Sequence, residues 1–570
     1  MAQSDITGIF QEIADLMEIL EENTFKIRAY QNAARTLGGV SDTLEDLVRE
    51  NKLQELPGIG EGIAKKVVEF LKTGKVRFHE ELRKKVPEGL LEMLRIQGMG
   101  PKKVKAVWKG LKISSISDLE RACRENRLAN LEGFGAKSQE NILKGIGYLK
   151  KSSGQFLFAV AIQSAEPILK RLEKHKAVRR VSLAGSLRRR KEVIKDIDFV
   201  VSTENPGRVM KFFTEMDEVD AVTAHGETKS SVKLKNGINV DLRAVSDKEF
   251  PYALHHLTGS VEHNTAMRTR AKKAGYKMNE YGLFKGRRLV ACKDEREIFE
   301  ELGLTYIEPE LRENMGEIEA AMKGGKLPHL VEEKDIRGVF HVHTTYSDGK
   351  APLEVMVRTA EEMGLEYVGI SDHSQSASYA NGLKADRVSK QQKEIDALNK
   401  KRNIRIFKGT ECDILADGAM DFSEKVLASF DFVIASVHSL FNMSKLEMTK
   451  RIVRALKNKH VTMLGHATGR LLLSREEYAV DLNEVIEAAV GEGKVIELNA
   501  NPYRLDLDWR VLKGAKEKGL RVSINPDAHN TVGLADIAYG VGIARKGWLE
   551  AKDVINTMPL NRMIAYLAGR

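Results

Sequence analysis

The 570-residue chain predicts a multidomain protein. An α-helical, helix-hairpin-helix N-terminal region should precede an α+β domain carrying a carboxylate cluster, and a C-terminal (β/α)7 barrel should follow. Three observations predict this. A Gly-apolar-Gly turn recurs three times between residues 58 and 135. Asp196 and Asp198 stand one residue apart in an apolar, strand-like run. After residue 336, seven apolar, strand-like runs end in potential metal ligands. The length exceeds what one core supports and suggests roughly three to four domains.

Hydrophobic residues make up 42% and charged residues 30%. No run approaches the ~18 apolar residues of a membrane span. The opening MAQSDITGIFQEIADLMEIL carries acids and helical periodicity, not an export signal. A cytoplasmic location and no membrane partner are expected. Cys123, Cys292 and Cys412 are odd in number and far apart, which fits a reducing compartment without a disulfide framework. The net charge is +10; residues 1–330 hold 57 Lys/Arg against 48 Asp/Glu, and residues 331–570 hold 34 against 33. A polyanionic partner is therefore expected in the first part.

The first 50 residues read as amphipathic helices, one from about Ile6 to Glu22 and one around Phe25–Leu37 with Lys26, Arg28 and Arg35 on its polar side. Gly58-Ile59-Gly60 then makes a tight hairpin whose second helix starts with free N–H groups; with Lys65 and Lys66 these can hold a phosphate. The turn recurs as Gln97-Gly98-Met99-Gly100, followed by Lys102, and as Glu132-Gly133-Phe134-Gly135. The spacings are 40 and 35 residues. These turns resemble helix-hairpin-helix units, which grip DNA backbones without reading sequence. Glycine-punctuated helix packing is the alternative.

Residues 154–245 alternate helix and strand patterns. In the strand-like Ile194–Val201, Asp196 and Asp198 share a face. Two such carboxylates repel unless a cation lies between them, and hard divalent ions take oxygen ligands. Asp241, in INVDLRAV, offers a third carboxylate. Gly185-Ser186 lets a phosphate approach, with Arg188, Arg189 and Arg190 beside it. A lone D-x-D is commonly a solvated acidic turn. In this context it reads as a two-metal nucleotidyl-transfer site. Downstream, Thr258-Gly259-Ser260 leads into a helix bearing Asn264 and Arg268.

These motifs, in this order, resemble the family X DNA polymerases, and residues 1 to about 315 are similar to DNA polymerase beta. The resemblance implies a small N-terminal domain (1–85), a DNA-gripping segment (86–150), a nucleotidyltransferase palm (151–245) and a nucleotide-binding subdomain (246–315). It implies that Asp196, Asp198 and Asp241 are catalytic and bind two Mg²⁺ or Mn²⁺ ions. Gly185, Ser186, Arg189 and Gly259 would surround the triphosphate, Asn264 would meet the incoming base, and Arg268 the template. Gly58, Gly60, Lys66, Gly98, Gly100 and Lys102 would hold DNA. Lys66 also falls at the family's Schiff-base lysine, so lyase chemistry and a phosphate contact both stand. One departure is His256-Leu257, where the beta-type enzymes carry an aromatic pair; discrimination between deoxy- and ribonucleotides is left open.

From Pro309 the text is helical, then polar and glycine-rich, and 316–335 reads as a linker. Strand-like runs follow from 336 to 570: VFHVHTTYSD, YVGISDHS, IRIFKGTECDI, FVIASVHS, VTMLGHAT, KVIELNAN and RVSINPDAH. Amphipathic helices separate them, and in such barrels the site lies at the C-terminal face. The candidate metal ligands are His341, His343, Asp348, His373, Glu411, His438, His466, Asp527 and His529. Seven of the fourteen histidines follow residue 331, and only His460 does not close a run. Imidazole with carboxylate suits Zn²⁺, Mn²⁺ or Fe²⁺, and nine ligands suit two or three ions.

This half resembles a PHP domain, a metal-dependent phosphoesterase. The combination resembles the long PolX form of bacteria and archaea. It implies a monomer that uses dNTPs and fills short gaps in gapped or nicked duplex DNA during base excision repair. It also implies a 3′-5′ exonuclease, with abasic-site incision and 3′-phosphate removal as further activities. The alternatives are a DNA-tethered phosphoesterase whose polymerase half delivers ends, and a non-enzymatic end-binding scaffold.

Overall fold

Each Gly-apolar-Gly turn folds by the same local logic. The first glycine is left-handed (Gly58 φ 79°, Gly98 φ 83°, Gly133 φ 84°), where a side chain is strained. The apolar middle residue, Ile59, Met99 or Phe134, is buried. The second glycine caps the next helix: Gly60 for Glu61–Thr73, Gly100 for Pro101–Leu111 and Gly135 for Ala136–Ser152. The computed structural model describes residues 2–37, 44–96 and 98–569, so Gln97 of the second turn lies outside the described residues.

The first helix spans Ala2–Ile19 and the second Thr24–Leu37. The break falls before the expected Glu22 because the Asn23 side chain accepts from the Phe25 N–H and opens the second helix. One apolar cluster holds Phe10, Val67, Leu90, Val104 and Ile142 together. The division expected at 85/86 is therefore not a break in the core.

The middle domain is a five-stranded mixed sheet. The strand Asp196–Ser202 lies between Arg180–Leu183, antiparallel, and Asn239–Val245, parallel. The helices Phe250–Thr258 and Val261–Lys273 follow, then a small antiparallel sheet over residues 276–289. Residues 316–335, read as a linker, are packed: Glu317 is buried against His263 at 2.7 Å, and the Val331 N–H donates to the Leu549 carbonyl.

The last part is a parallel seven-stranded sheet whose spatial order follows the chain. Its strands are Gly338–Val342, Tyr367–Ile370, Arg405–Asp413, Phe432–Ser436, Met463–Leu464, Val495–Asn499 and Val522–Asn525. A parallel bridge between Val342 and Ala528 brings the last strand's end beside the first, giving a near-closed barrel. The barrel docks on the polymerase half through specific bonds. Trp509 donates its indole N–H to Glu192, the Leu473 N–H donates to Tyr148 Oη, and Lys513 donates to the Met315 carbonyl. Cys123, Cys292 and Cys412 are buried free thiols. Among the described residues no helix is long and apolar enough to cross a membrane.

Candidate active sites

The polymerase-side site is built on two adjacent parallel strands. Asp198 and Asp241 are register partners, and Asp196 is two residues away on the same face. Asp196 is exposed, and Asp198 and Asp241 are half-buried. Burial, then the Asp196 and Asp241 carboxylates, push Asp198 up to about 7. Lys229, from the next strand over, pairs with Asp241 at 2.6 Å. Three mutually repelling carboxylates with so little local compensation fit a divalent cation chemically.

Gly185 (φ 61°) is wedged against this cluster; a Cβ there would overlap Asp198 Oδ2. It opens the short helix Gly185–Arg188, with Ser186 half-buried. Of the arginines that follow, Arg188 and Arg189 are engaged within the chain. Arg188 pairs with Glu295 at 2.5 Å and donates to Thr258 Oγ1. Arg189 is buried, pairs through Nε with Glu313 at 2.9 Å, and donates through Nη1 to the Thr258 carbonyl. The physical reason is proximity: the Thr258-Gly259 turn packs directly on Arg189, where burial requires a partner.

Asn264 is also engaged, donating to the His256 carbonyl at 2.7 Å, while its buried Oδ1 has no partner among the described residues. Arg268, one helical turn on, is exposed. His256 and Leu257 line a cleft of about 300 Å³ with Arg243, Glu280 and Tyr281. On the N-terminal region, Lys102 is exposed beside Lys103, Lys105 and Arg28, but Glu18, Glu21 and Glu22 share that groove. Lys66 is half-buried, donates to the Gly62 carbonyl and lies 5.3 Å from the Phe78 ring centroid.

In the barrel, the strand ends bring all nine expected ligands into overlapping groups. His343, Asp348, His373 and His529 form one; His341, His343 and Asp527 a second; His341, Glu411 and His466 a third; His373, Glu411 and His438 a fourth. Glu411 belongs to two of these groups. Its Oε2 lies 3.3 Å from His341 Nε2 and 3.0 Å from His373 Nδ1, and its Oε1 lies 2.9 Å from His466 Nε2. Among the described residues several of these buried nitrogens find no hydrogen-bond partner: His341 Nε2, both nitrogens of His343, His373 Nδ1 and His466 Nδ1. Orphaned imidazoles at this density are costly in an apolar interior unless a cation takes their lone pairs. The donor set thus fits metal ions. The cluster is electrostatically tense. Burial opposes charging of His438, but Glu411 and Asp413 hold it up to about 9; burial drives His373 down to about 3. His466 (φ 21°) and Asp527 (φ 51°) also carry positive φ, backbone strain concentrated at candidate ligands.

Residue-level reading missed a supporting shell. Glu497 Oε1 lies 2.6 Å from His341 Nδ1, its Oε2 accepts from the His466 N–H, and Asn499 and Asn525 hold it in turn. Asp413 does the same for His438 Nδ1 at 2.6 Å. Such partners fix the ring orientation and raise ligand basicity. The signal lay in VIELN, where an acid sits inside an otherwise apolar, fully buried strand.

Residues 1–76 match the helix-hairpin-helix domain family, 90–147 the SAM-like helix-hairpin-helix tandem, 253–313 the DNA polymerase beta thumb, and 340–501 the PHP domain. The DNA polymerase/3′-5′ exonuclease PolX of Bacillus subtilis (strain 168) is 39% identical over 572 residues, covering 100% of this chain and 99% of its own length. The chain belongs to the bacterial PolX family. It is a DNA polymerase with a 3′-5′ exonuclease. Partial relatives match each half of this PolX chain. Repair DNA polymerase X of African swine fever virus (isolate Pig/Kenya/KEN-50/1950) is 33% identical over 141 residues, 23% of this chain and 80% of its own. A probable phosphatase of Thermoanaerobacter sp. (strain X514) is 28% identical over 235 residues, 38% of this chain and 89% of its own.

Proposed function

We propose that this PolX fills short gaps in duplex DNA during base excision repair, and that its two chemistries use physically separate sites. The observation that carries the reading is the pairing of Asp198 with Asp241 across adjacent strands, while all nine barrel ligands come from residues 341–529. Asp196, Asp198 and Asp241 would hold two Mg²⁺ or Mn²⁺ ions, which when bound lower the pKa of a primer hydroxyl and neutralise a triphosphate. Around them Ser186, Gly185 and Gly259 shape the triphosphate's approach, Arg189 supplies charge, Asn264 faces the base edge and Arg268 the template. The glycine turns and Lys102 grip the duplex backbone, as helix-hairpin-helix units do, and Lys66 adds a phosphate contact or lyase chemistry. The enzyme would act as a monomer.

In the barrel, His341, His343, Asp348, His373, Glu411, His438, His466, Asp527 and His529 would hold two or three Mn²⁺, Zn²⁺ or Fe²⁺ ions, which activate water for phosphodiester cleavage. Glu497 and Asp413 orient the imidazoles. The likeness of this half to a probable phosphatase supports 3′-phosphate removal as a further activity, and abasic-site incision would draw on the same ligands.

The deciding assay follows a labelled one-nucleotide-gapped duplex with a 5′ phosphate in Mn²⁺. Asp241→Ala is expected to abolish incorporation by at least about 10³-fold and leave 3′ trimming intact. The double variant His341→Ala/His343→Ala is expected to do the reverse. Loss of trimming in folded Asp241→Ala would sink the separation of sites. Trimming without extension by the wild-type chain would favour the tethered-phosphoesterase alternative.

A further inference from the structure

Glu313 is one buried carboxylate that serves two cations from opposite halves of the chain. Its Oε1 takes Arg189 Nε at 2.9 Å and Lys546 Nζ at 2.5 Å. Arg189 follows the Gly185 turn beside Asp198, and Lys546 ends the barrel helix Ile537–Lys546. The Lys546 side chain is fully buried; its Nζ also donates to the carbonyls of Arg189 at 3.0 Å and Glu310 at 3.4 Å, and lies 4.4 Å from the Trp509 ring centroid. The flanking charges are already committed: Arg545 pairs with Glu310, and Arg510 with Glu192. A lysine this buried is costly unless paired, and neither active site uses it directly.

We propose that Lys546 is a positioning residue for polymerisation: it keeps Glu313 paired so that Arg189 can exchange that carboxylate for the triphosphate of an incoming nucleotide. The inference rests on Arg189 being a phosphate ligand. Its logic is the asymmetry of buried ion pairs, in which removing one partner leaves an expensive uncompensated charge. With Lys546 in place, Glu313 remains neutralised when Arg189 turns toward a polyphosphate. Without it, Arg189 is the only cation on Glu313, and nucleotide binding must break that pair. The nuclease barrel thereby sets nucleotide affinity in the palm without touching the nucleotide.

Single-nucleotide incorporation by the full chain on a gapped duplex tests this. Lys546→Met is expected to raise the dNTP KM about five- to tenfold with kcat within about twofold, and to leave 3′ trimming unchanged. The double variant Glu313→Gln/Lys546→Met removes the carboxylate that retains Arg189 and is expected to return KM to within about twofold of wild type. A merely structural role would not produce that return. An unchanged KM in Lys546→Met overturns the proposal, as does a KM that the double variant fails to restore. Should Lys546→Met not fold, Lys546→Gln, which keeps a donor in the same position, carries the same expectations. Arg189→Gln separates the two layers. If it leaves KM unchanged, the phosphate-ligand reading fails; if it raises KM while Lys546→Met does not, only the present inference fails.

Discussion

Gly185 shows how tightly a single backbone position controls the polymerase carboxylates. Its left-handed φ and the space a Cβ would take from Asp198 Oδ2 both require glycine. Gly185→Ala is expected to displace Asp198 and lower incorporation about 100-fold, the penalty of a misplacement near 1 Å. Exonuclease activity on the same preparation should be unchanged; an unaltered incorporation rate would show that the turn can yield. At this scale the residue text was informative, because D-x-D on a strand and a glycine before a basic run each state a local geometry. Arg189 was legible as a charge but not in its connections, since Glu313 lies 124 residues away and only folding brings it to the guanidinium.

Strand ends organise the barrel site at the scale of elements. Five of the seven strands, or the residues just beyond them, supply the candidate ligands His341, His343, His373, Glu411, His438 and His466, and the last adds Asp527 and His529. The sixth, Val495–Asn499, supplies none of the nine and contributes Glu497 behind them instead. Glu497→Gln should weaken metal binding about 10- to 100-fold, read as metal content after dialysis against a buffered chelator. Incorporation on a gapped duplex should not change. Retained metal at wild-type level would mean that a neutral amide at position 497 orients His341 and His466 as well as the carboxylate does. The strand–helix alternation and its ligand-bearing ends could be read from periodicity, because both are short-range patterns. The orienting acid could not be assigned, since an acid in a buried strand has several uses and only its distance to His341 selects one.

For the whole molecule, buried ion pairs tie palm, thumb and barrel together. Glu295 pairs with Arg188 of the Gly185 turn and with Arg312 at the end of the thumb, each at 2.5 Å. Burial alone would raise its pKa, but Arg312 and Arg188 outweigh it and hold the carboxyl down to about 2, below the ordinary 4.5. A depressed carboxyl stabilises the folded chain fully above its unfolded pKa, and that contribution fades as pH falls from about 4.5 toward 2. Glu295→Gln should therefore cost about 3 kcal/mol at pH 7 in urea denaturation. The deficit should shrink progressively below pH 4.5, and a deficit independent of pH would assign the loss to packing. DNA affinity of the intact chain should also fall steeply with salt if its glycine turns and lysines work through phosphates.

By itself the sequence determined the chemistry and its order along the chain. Each glycine turn, the Asp196/Asp198 pair and each ligand-bearing strand end is encoded within a few residues, where hydrogen-bonding geometry and side-chain period leave few alternatives. Tertiary structure alone decided how those parts are joined. It merged residues 1–150 around one apolar cluster, packed 316–335 against thumb and barrel, placed Glu497 behind His341, and set Lys546 and Arg189 on the same Glu313 oxygen. These contacts link residues tens to hundreds of positions apart. Their energy comes from burial and charge pairing, which no local pattern records.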